Sequence, residues 1–290
     1  FKVREVWRRE GVPKALATLY DKILVYGQSS IFDVEREYEL EPEIGRKITY
    51  TGYVYRPEPI REGAATIRER LGAQSSPLVL VTVGGGEDGH RIVHQYLEGL
   101  AALGSRCSWR SLVVTGPFMK SWRKKTAKTV AQSLPGVSIL EFTPHLRDHM
   151  AAADVVVTMG GYNSVVEAMV LRKRALVVPR ITPREEQRIR AERLAERGLL
   201  RWIDPRHVSP AALLTEVEEL LASKAPASEP LDFGGVERTV KVVQELVEAD
   251  QPEKPRASFE APKSQLQPAE APFAQPPSAL GSIAGTNIAN

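Results

Sequence analysis

The sequence predicts an α/β protein built on a doubly wound parallel sheet, and two observations lead there. From Pro77 onward, six short runs rich in β-branched residues alternate with helix-length segments, the pattern of repeated βα units. Four of those runs are apolar at both odd and even positions, as expected of strands covered by helices on both faces. Composition sets the bounds: 290 residues, 42% hydrophobic and 26% charged, are ordinary values for a globular protein with a substantial core.

The elements follow in chain order. VPKALATLYD reads as a helix, KILVYG as a strand, SIFDVEREY as a helix and KITYTGYVY as a second strand. This lone βα unit, followed by the proline-punctuated RPEPIREG, reads as the last piece of a preceding domain running into a linker over residues 1–60. The predicted strands of the main domain, 61–249, are PLVLVTV (77–83), SLVVTG (111–116), GVSILEF (136–142), ADVVVTM (153–159), RALVVP (174–179) and LLRWID (199–204). Segments such as IVHQYLEGLAAL, NSVVEAMVLRK and EEQRIRAERLAERG supply the crossovers, and GGVERTVKVVQELVEA the last helix. Residues 250–290, rich in Pro, Ala, Ser and Gln, bury too little apolar surface to offset their ordering entropy and are expected to be disordered.

Charge and cysteine content narrow the classes. A formal net charge of +3 does not argue for a nucleic-acid partner. The single cysteine, Cys107, allows no internal disulfide or cysteine metal cluster, which fits a reducing compartment and makes the cytoplasm the default. No apolar run approaches bilayer-spanning length, and the opening FKVREVWRRE is neither a signal peptide nor an ordinary start, so a fragment lacking its N-terminus is expected.

Three loops carry the candidate chemistry. VTVGGGEDGH contains a G-x-G-x-x-G at Gly84, Gly86 and Gly89, with Gly85 between, directly after a strand. A glycine turn that opens a helix exposes backbone N–H groups to an anion, which serves any phosphate. A dinucleotide site also needs an acid closing the next strand, whereas SLVVTGPF ends in Thr115, Gly116 and Pro117. Glycines that merely permit a tight turn are the plain alternative. The second loop, MGGYNSVVEAMVL, sets Gly160 and Gly161 before a helix with Asn163, Ser164 and, on the face of Asn163, Glu167. Backbone N–H groups and short polar side chains there suit a diphosphate, and a carboxylate one turn on suits vicinal ribose hydroxyls. Ser164-Val-Val-Glu167 is equally a capping box that starts a helix. In the third, Arg180 to Arg184 lead into a helix whose first turn carries Glu186 and Gln187, an acid and an amide suited to sugar hydroxyls. The helix also offers i,i+4 pairs, Glu186 with Arg190 and Arg188 with Glu192, of a solvated surface.

The run from Asp154 to Leu200 resembles the C-terminal domain of family 28 glycosyltransferases, the group that includes the peptidoglycan N-acetylglucosaminyltransferase. It is nearer still to an uncharacterised bacterial branch of predicted glycosyltransferases with a GGYN motif. The resemblance extends over roughly Asp21 to Leu246. It implies a Rossmann-like domain, the donor-binding half of a GT-B fold. By position, Gly84 to Gly89 and Gly160-Gly161 would border the diphosphate of a UDP-sugar, with Asn163 and Ser164 assisting. Glu167 would hold the ribose, the backbone near Phe142 would meet the base, and Glu186 with Gln187 would contact the sugar. The family often has Asn-Ala after the Gln where this chain reads Arg190-Ala191, which bears on sugar identity.

The resemblance also implies a hexosyltransferase that inverts the anomeric carbon, with UDP-N-acetylglucosamine or a related UDP-sugar as donor. Neither metal nor cofactor is expected: there is no Asp-x-Asp clamp, and helix N-termini can stabilise the leaving group. No catalytic base is assigned, since in this family it lies on the other domain. A nucleotide-sugar-binding subunit that needs a partner chain, and a UDP-sugar epimerase of the same architecture, are the alternatives. His90 and His145 are read as ordinary surface histidines. SWRKKTAK (121–128) is read as a solvated helix face, with anionic lipid in peripheral membrane contact as its second reading.

Overall fold

All six strands of the main sheet run parallel, in the spatial order β5–β4–β3–β6–β7–β8. They are β3 (Leu78–Thr82), β4 (Arg110–Val114), β5 (Val137–Leu140), β6 (Val155–Thr158), β7 (Arg174–Val177) and β8 (Arg201–Trp202). The computed structural model describes residues 2–180, 185–226 and 230–249, so the 250–290 tail expected from composition lies outside the described residues. Five of the six strands fall inside their predicted runs, shortened at one or both ends, and β4 starts one residue before its run, at Arg110. The order is that of a doubly wound sheet, with its direction of growth reversing between β3 and β6.

The parity of the strand residues explains the layers. Val79 and Val81 of β3 join Val113 and Val157 in one cluster. It packs under α6 (His90–Leu103), α7 (Ser121–Gln132) and α11 (Pro210–Ala222). Leu78 and Leu80 face the other way, with Leu112 and Val156, against α5 (Ala64–Arg70) and α8 (Leu146–Ala152). β3, β4, β6 and β7 are almost wholly buried, which is why those runs are apolar on both parities, whereas edge strand β5 is not. On the same side as α5 and α8, α9 (Tyr162–Val170) and α10 (Glu186–Glu196) pack Val165 and Leu194 against Ala175 and Val177 of β7.

Polar contacts tie the start of β3 and helix α8 to their neighbours. Asp154 accepts hydrogen bonds from the Leu78 N–H (2.8 Å) and from Arg68 Nη1 (2.9 Å). Buried Asp148 accepts from the Arg61 and Glu62 N–H groups at 3.2 and 3.0 Å, fixing the predicted linker onto α8.

The chain before the main sheet contains α1 (Lys2–Arg9), α2 (Val12–Leu19), α3 (Val34–Tyr38) and α4 (Pro42–Gly45). Its β1 (Ile23–Tyr26) and β2 (Ile48–Gly52) pair parallel in a two-stranded sheet of their own. The expectations included neither α1 nor α4. The segment before α12 (Gly235–Ala249) returns to this sheet: the Tyr53 N–H donates to Asp232 O (2.7 Å) and the Gly235 N–H to Tyr53 O (3.1 Å). Residues 1–247 therefore form one compact unit containing two separate sheets.

Candidate functional site

The candidate loops all leave the C-terminal edge of the main sheet, the edge at which ligands of open α/β sheets bind. After β3, the glycine loop lies against the loop after β4. Gly86 has φ +88°, and a Cβ on it would run into the Thr115 carbonyl oxygen. The Phe118 N–H donates to Gly85 O at 2.8 Å. A Cβ on Gly89 would collide with the Val83 side chain, so packing alone requires glycine there. Turn and packing demands thus account for Gly86 and Gly89. Gly84, with φ +61° and open space around its Cβ position, faces no such crowding.

Gly160 and Gly161 divide in the same way. Gly160 has φ +78° and its Cβ would lie 2.8 Å from Val177 Cγ1, whereas Gly161 has nothing within 4 Å of the corresponding position. Gly161 is the N-cap of α9, and no side chain caps that helix. The first intrahelical bond runs from the Val165 N–H to Gly161 O at 3.0 Å, leaving the N–H groups of Tyr162, Asn163 and Ser164 without an intrahelical acceptor. The capping-box alternative is therefore overturned: the helix begins two residues before Ser164, which occupies its third position. Uncapped N–H groups at the positive end of a helix are suited to an anion.

One turn on, Glu167 is half-buried and its carboxylate makes no hydrogen bond or ion pair among the described residues. Burial pushes its carboxyl above the usual carboxylate range; the nearby Arg147 charge opposes this and Glu58 adds to it. Such a group accepts hydrogen bonds from a ligand without first releasing a protein partner.

Tyr162, the aromatic residue of the GGYN motif, ties this helix start to the chain after β2. Its hydroxyl accepts from the Val54 N–H at 2.7 Å, and its ring lies under the Arg190 guanidinium, 5.6 Å from the ring centroid. Arg190 also donates to Gly160 O (3.1 Å) and pairs with Glu186 (2.8 Å). The expected Glu186–Arg190 and Arg188–Glu192 pairs are both present, the latter at 3.0 Å. Glu186 thus meets the site already paired.

Gln187 is also engaged, its Oε1 accepting from the Arg180 N–H at 3.1 Å. Arg180 in turn reaches Asp88 beside the glycine loop at 2.9 Å, so one ion pair joins the loops after β3 and β7. The rest of the predicted Arg180–Arg184 loop lies outside the described residues. Contacts therefore run from the Gly84–Gly89 loop through Asp88 and Arg180 to Gln187, and from Arg190 on the same helix to Gly160 and Tyr162. Asn163, Phe142 and Glu167 have no hydrogen bond or ion pair to these residues among the described residues. Phe142 is exposed beyond β5, in a loop held by Glu141 paired with Lys124 (3.2 Å) and Lys128.

His90 opens α6, where burial and the adjacent Arg123 charge depress its pKa; its Nδ1 lies 2.7 Å from Arg123 Nη1. His145 caps α8 and accepts the His149 Nδ1–H through its backbone carbonyl at 3.0 Å. Beside the loop contacts, a cavity of about 310 Å³ is lined by Tyr26, Tyr53, Tyr162, Glu186 and Arg190, among others.

The family model described as "Glycosyltransferase family 28 C-terminal domain" matches residues 79–233, more than half of the chain. The chain belongs to glycosyltransferase family 28. Among its curated relatives is an uncharacterized glycosyltransferase of Methanopyrus kandleri, 28% identical over 70% of this chain and 55% of that protein. Another is the UDP-N-acetylglucosamine--N-acetylmuramyl-(pentapeptide) pyrophosphoryl-undecaprenol N-acetylglucosamine transferase of Moorella thermoacetica, 26% identical over 70% of this chain and 58% of that one. The chain thus spans a little over half the length of these relatives.

Solved structures agree on the fold. A glycosyltransferase of kitacinnamycin superposes with a TM-score of 0.51 at 20% identity, over 84% of this chain and 56% of that one. The UDP-GlcNAc 2-epimerase of Methanocaldococcus jannaschii gives 0.55 at 16% identity, over 78% and 62%. The six-stranded domain of this family 28 member is the C-terminal half of a GT-B fold. Among the described residues, no helix is long and apolar enough to cross a membrane.

Asp88, Arg180 and Tyr162 were not singled out from sequence, and Arg190 only as a departure from the family pattern. Tyr162 stands inside the quoted GGYN motif, the one signal that pointed to it. Asp88 and Arg180 come together only through the reversal of strand order.

Proposed function

We propose that this chain holds the nucleotide-sugar donor site of an inverting hexosyltransferase, taking UDP-N-acetylglucosamine or a related UDP-sugar. Glu167 carries the reading: a half-buried carboxylate without a protein partner, one turn into a helix whose first N–H groups are uncapped. In this account the diphosphate lies at the Gly161 end of α9, and the backbone N–H groups of Tyr162, Asn163 and Ser164 meet its charge. The Gly84–Gly86 loop borders it from β3. Glu167 accepts from both ribose hydroxyls, the base meets the backbone around Phe142, and Glu186 and Gln187 contact the sugar.

The chemistry follows from that arrangement. An acceptor hydroxyl attacks the anomeric carbon from the face opposite the diphosphate as the C–O bond to the nucleoside diphosphate breaks. The departing oxygen gains negative charge, and N–H donors fixed at a helix N-terminus stabilise it without reorganising. The base that takes the acceptor proton belongs, in this reading, to a preceding domain whose last part is residues 1–60. The aromatic cavity beside Tyr162 and Arg190 gives an acceptor room near the donor sugar.

Calorimetric titration with UDP, UDP-N-acetylglucosamine, GDP, dTDP and NAD tests the reading. Uridine ligands bind, and NAD does not. A second reading, a UDP-sugar epimerase, has the fold likeness to the Methanocaldococcus enzyme in its favour. The run from GGYN to Glu186-Gln187 favours the transferase. Interconversion of UDP-sugars by the protein with no acceptor present would reverse that preference.

A further inference from the structure

Strand β6 lies between β3 and β7, so the loops that leave β3 and β7 flank the Gly160-Gly161 turn from opposite sides. Strands two places apart in a sheet are about 10 Å apart, too far for their backbones to touch. Two side chains close that gap: Arg180 Nε and Asp88 Oδ2 stand 2.9 Å from each other. On the β7 side the backbone of Arg180 is held close to the turn. Its N–H donates to Gln187 Oε1 at 3.1 Å, and a Cβ on Gly160 would lie 3.8 Å from Gln187 Cβ and 3.9 Å from Pro179 Cβ. The ion pair therefore spans the place where the proposed function puts the diphosphate.

The pair is also easily exchanged. The Arg180 side chain is 40% exposed and that of Asp88 47%, and an ion pair so open to water contributes little to stability. Arg180 Nε is itself shielded from solvent, yet no acceptor is aligned with its N–H, so the guanidinium keeps donors in hand. The Asp88 carboxylate has no other hydrogen-bond or ion-pair partner among the described residues. The second guanidinium at this turn, Arg190, is already engaged by Glu186, by Gly160 O and by the Tyr162 ring. Arg180 is thus an arginine whose present partner is a single solvated carboxylate. A diphosphate carries more charge, and its oxygens fit the planar fork of an arginine in pairs.

We propose that Arg180 is a further donor-binding residue and that Asp88 occupies its guanidinium in the free chain, to be displaced by the diphosphate of the nucleotide. The displaced carboxylate turns to water and leaves the diphosphate between the α9 start and Arg180. A nucleoside monophosphate places its one phosphate at the α9 N–H groups and leaves the Arg180–Asp88 pair intact, so the exchange selects diphosphates. Asp88 competes with the ligand and lowers its affinity, which lets product leave. The inference rests on the donor-site reading of the Gly160-Gly161 turn.

The test is calorimetric titration of the whole chain, Asp88→Asn, Arg180→Gln and the double variant with UDP and with UMP. Asp88→Asn tightens UDP about fivefold, because the competing anion is gone. Arg180→Gln weakens UDP about ten- to a hundredfold, the scale of a charge-assisted bidentate contact. UMP affinity moves less than about threefold in either variant. In the Arg180→Gln background Asp88→Asn gains less than about twofold, since no pair is left to release. Thermal melts matching the parent show that the changes are not unfolding. The opposite signs of the two single substitutions are what a brace between loops would not produce: a brace makes both weaken UDP together, and that result overturns the proposal. UDP affinity unchanged in both variants, or UMP affinity falling in step with UDP in Arg180→Gln, overturns it as well while leaving the donor site standing. A parent chain that binds no UDP overturns the donor-site reading and the exchange with it.

Discussion

The Tyr162 hydroxyl accepts the Val54 N–H at 2.7 Å, so the first helical residue of α9 is anchored to the chain that leaves β2. Tyr162→Phe removes the acceptor and leaves a half-buried N–H unpaired. A loss of about 1 kcal/mol in urea unfolding is expected, together with weaker UDP binding as the helix start loosens.

Two glycines separate packing from ligand contact. Gly86→Ala places a Cβ against the Thr115 carbonyl at φ +88° and should cost about 3 kcal/mol or more of stability. Gly161→Ala meets no protein atom within 4 Å and should leave stability within about 0.5 kcal/mol. Its methyl group intrudes only on a ligand at the α9 start, so UDP affinity falls while the melting curve stays. Unchanged affinity in Gly161→Ala would move the diphosphate elsewhere.

Glu167 gives a pH dependence with a definite sign. Burial holds its carboxyl above the ordinary 4.5 in the folded chain. Its contribution to stability is therefore fully present below the unfolded value and is lost as pH rises through the folded value. Glu167→Gln should raise the stability of the free protein at neutral pH. The same change should weaken UDP binding, because ribose hydroxyls donate to the ionised form. In the parent, affinity should be full above the raised pKa and decline as pH falls through it; in Glu167→Gln the decline should vanish. Titrations across the weakly acidic range read both effects.

Arg190 links Glu186, Gly160 and the Tyr162 ring. Arg190→Asn restores the residue the family often carries there. UDP affinity should hold within about threefold, since the nucleotide contacts are left in place, while the ratio of UDP-N-acetylglucosamine to UDP affinity should change by about tenfold. A parallel loss for both ligands would make Arg190 a structural brace of α9.

The main sheet was legible because its four inner strands are buried on both faces and leave uninterrupted β-branched runs. Their ends were not, since pairing stops before hydrophobicity does: β8 pairs only Arg201 and Trp202, although the apolar run starts at Leu199. Helix α1 is absent from the expectations although Val3, Val6 and Trp7 of KVREVWRR stand at i, i+3 and i+4, because eight residues give only two turns of that period among five charged neighbours. Within the site, local relations were readable. Glu186 and Arg190 are one helical turn apart and do pair. Relations made by topology were not, because Asp88 and Arg180 are distant in sequence and meet only across the crevice. The capping-box alternative at Ser164 failed for a local reason. Gly161, at φ −55° and ψ 141°, starts the helix without a side-chain cap, and sequence preference alone favours the serine.

The central claim is that a uridine diphosphate lies between the α9 start and Glu167, and calorimetric titration of the parent, Gly161→Ala and Glu167→Gln with UDP tests it most directly. The account predicts binding to the parent and a roughly ten- to hundredfold loss in Glu167→Gln, the equivalent of about 1.5–3 kcal/mol for hydrogen bonds to a charged acceptor. Gly161→Ala should lose affinity as well, with both variants folded. UDP binding of equal strength in all three proteins would contradict it.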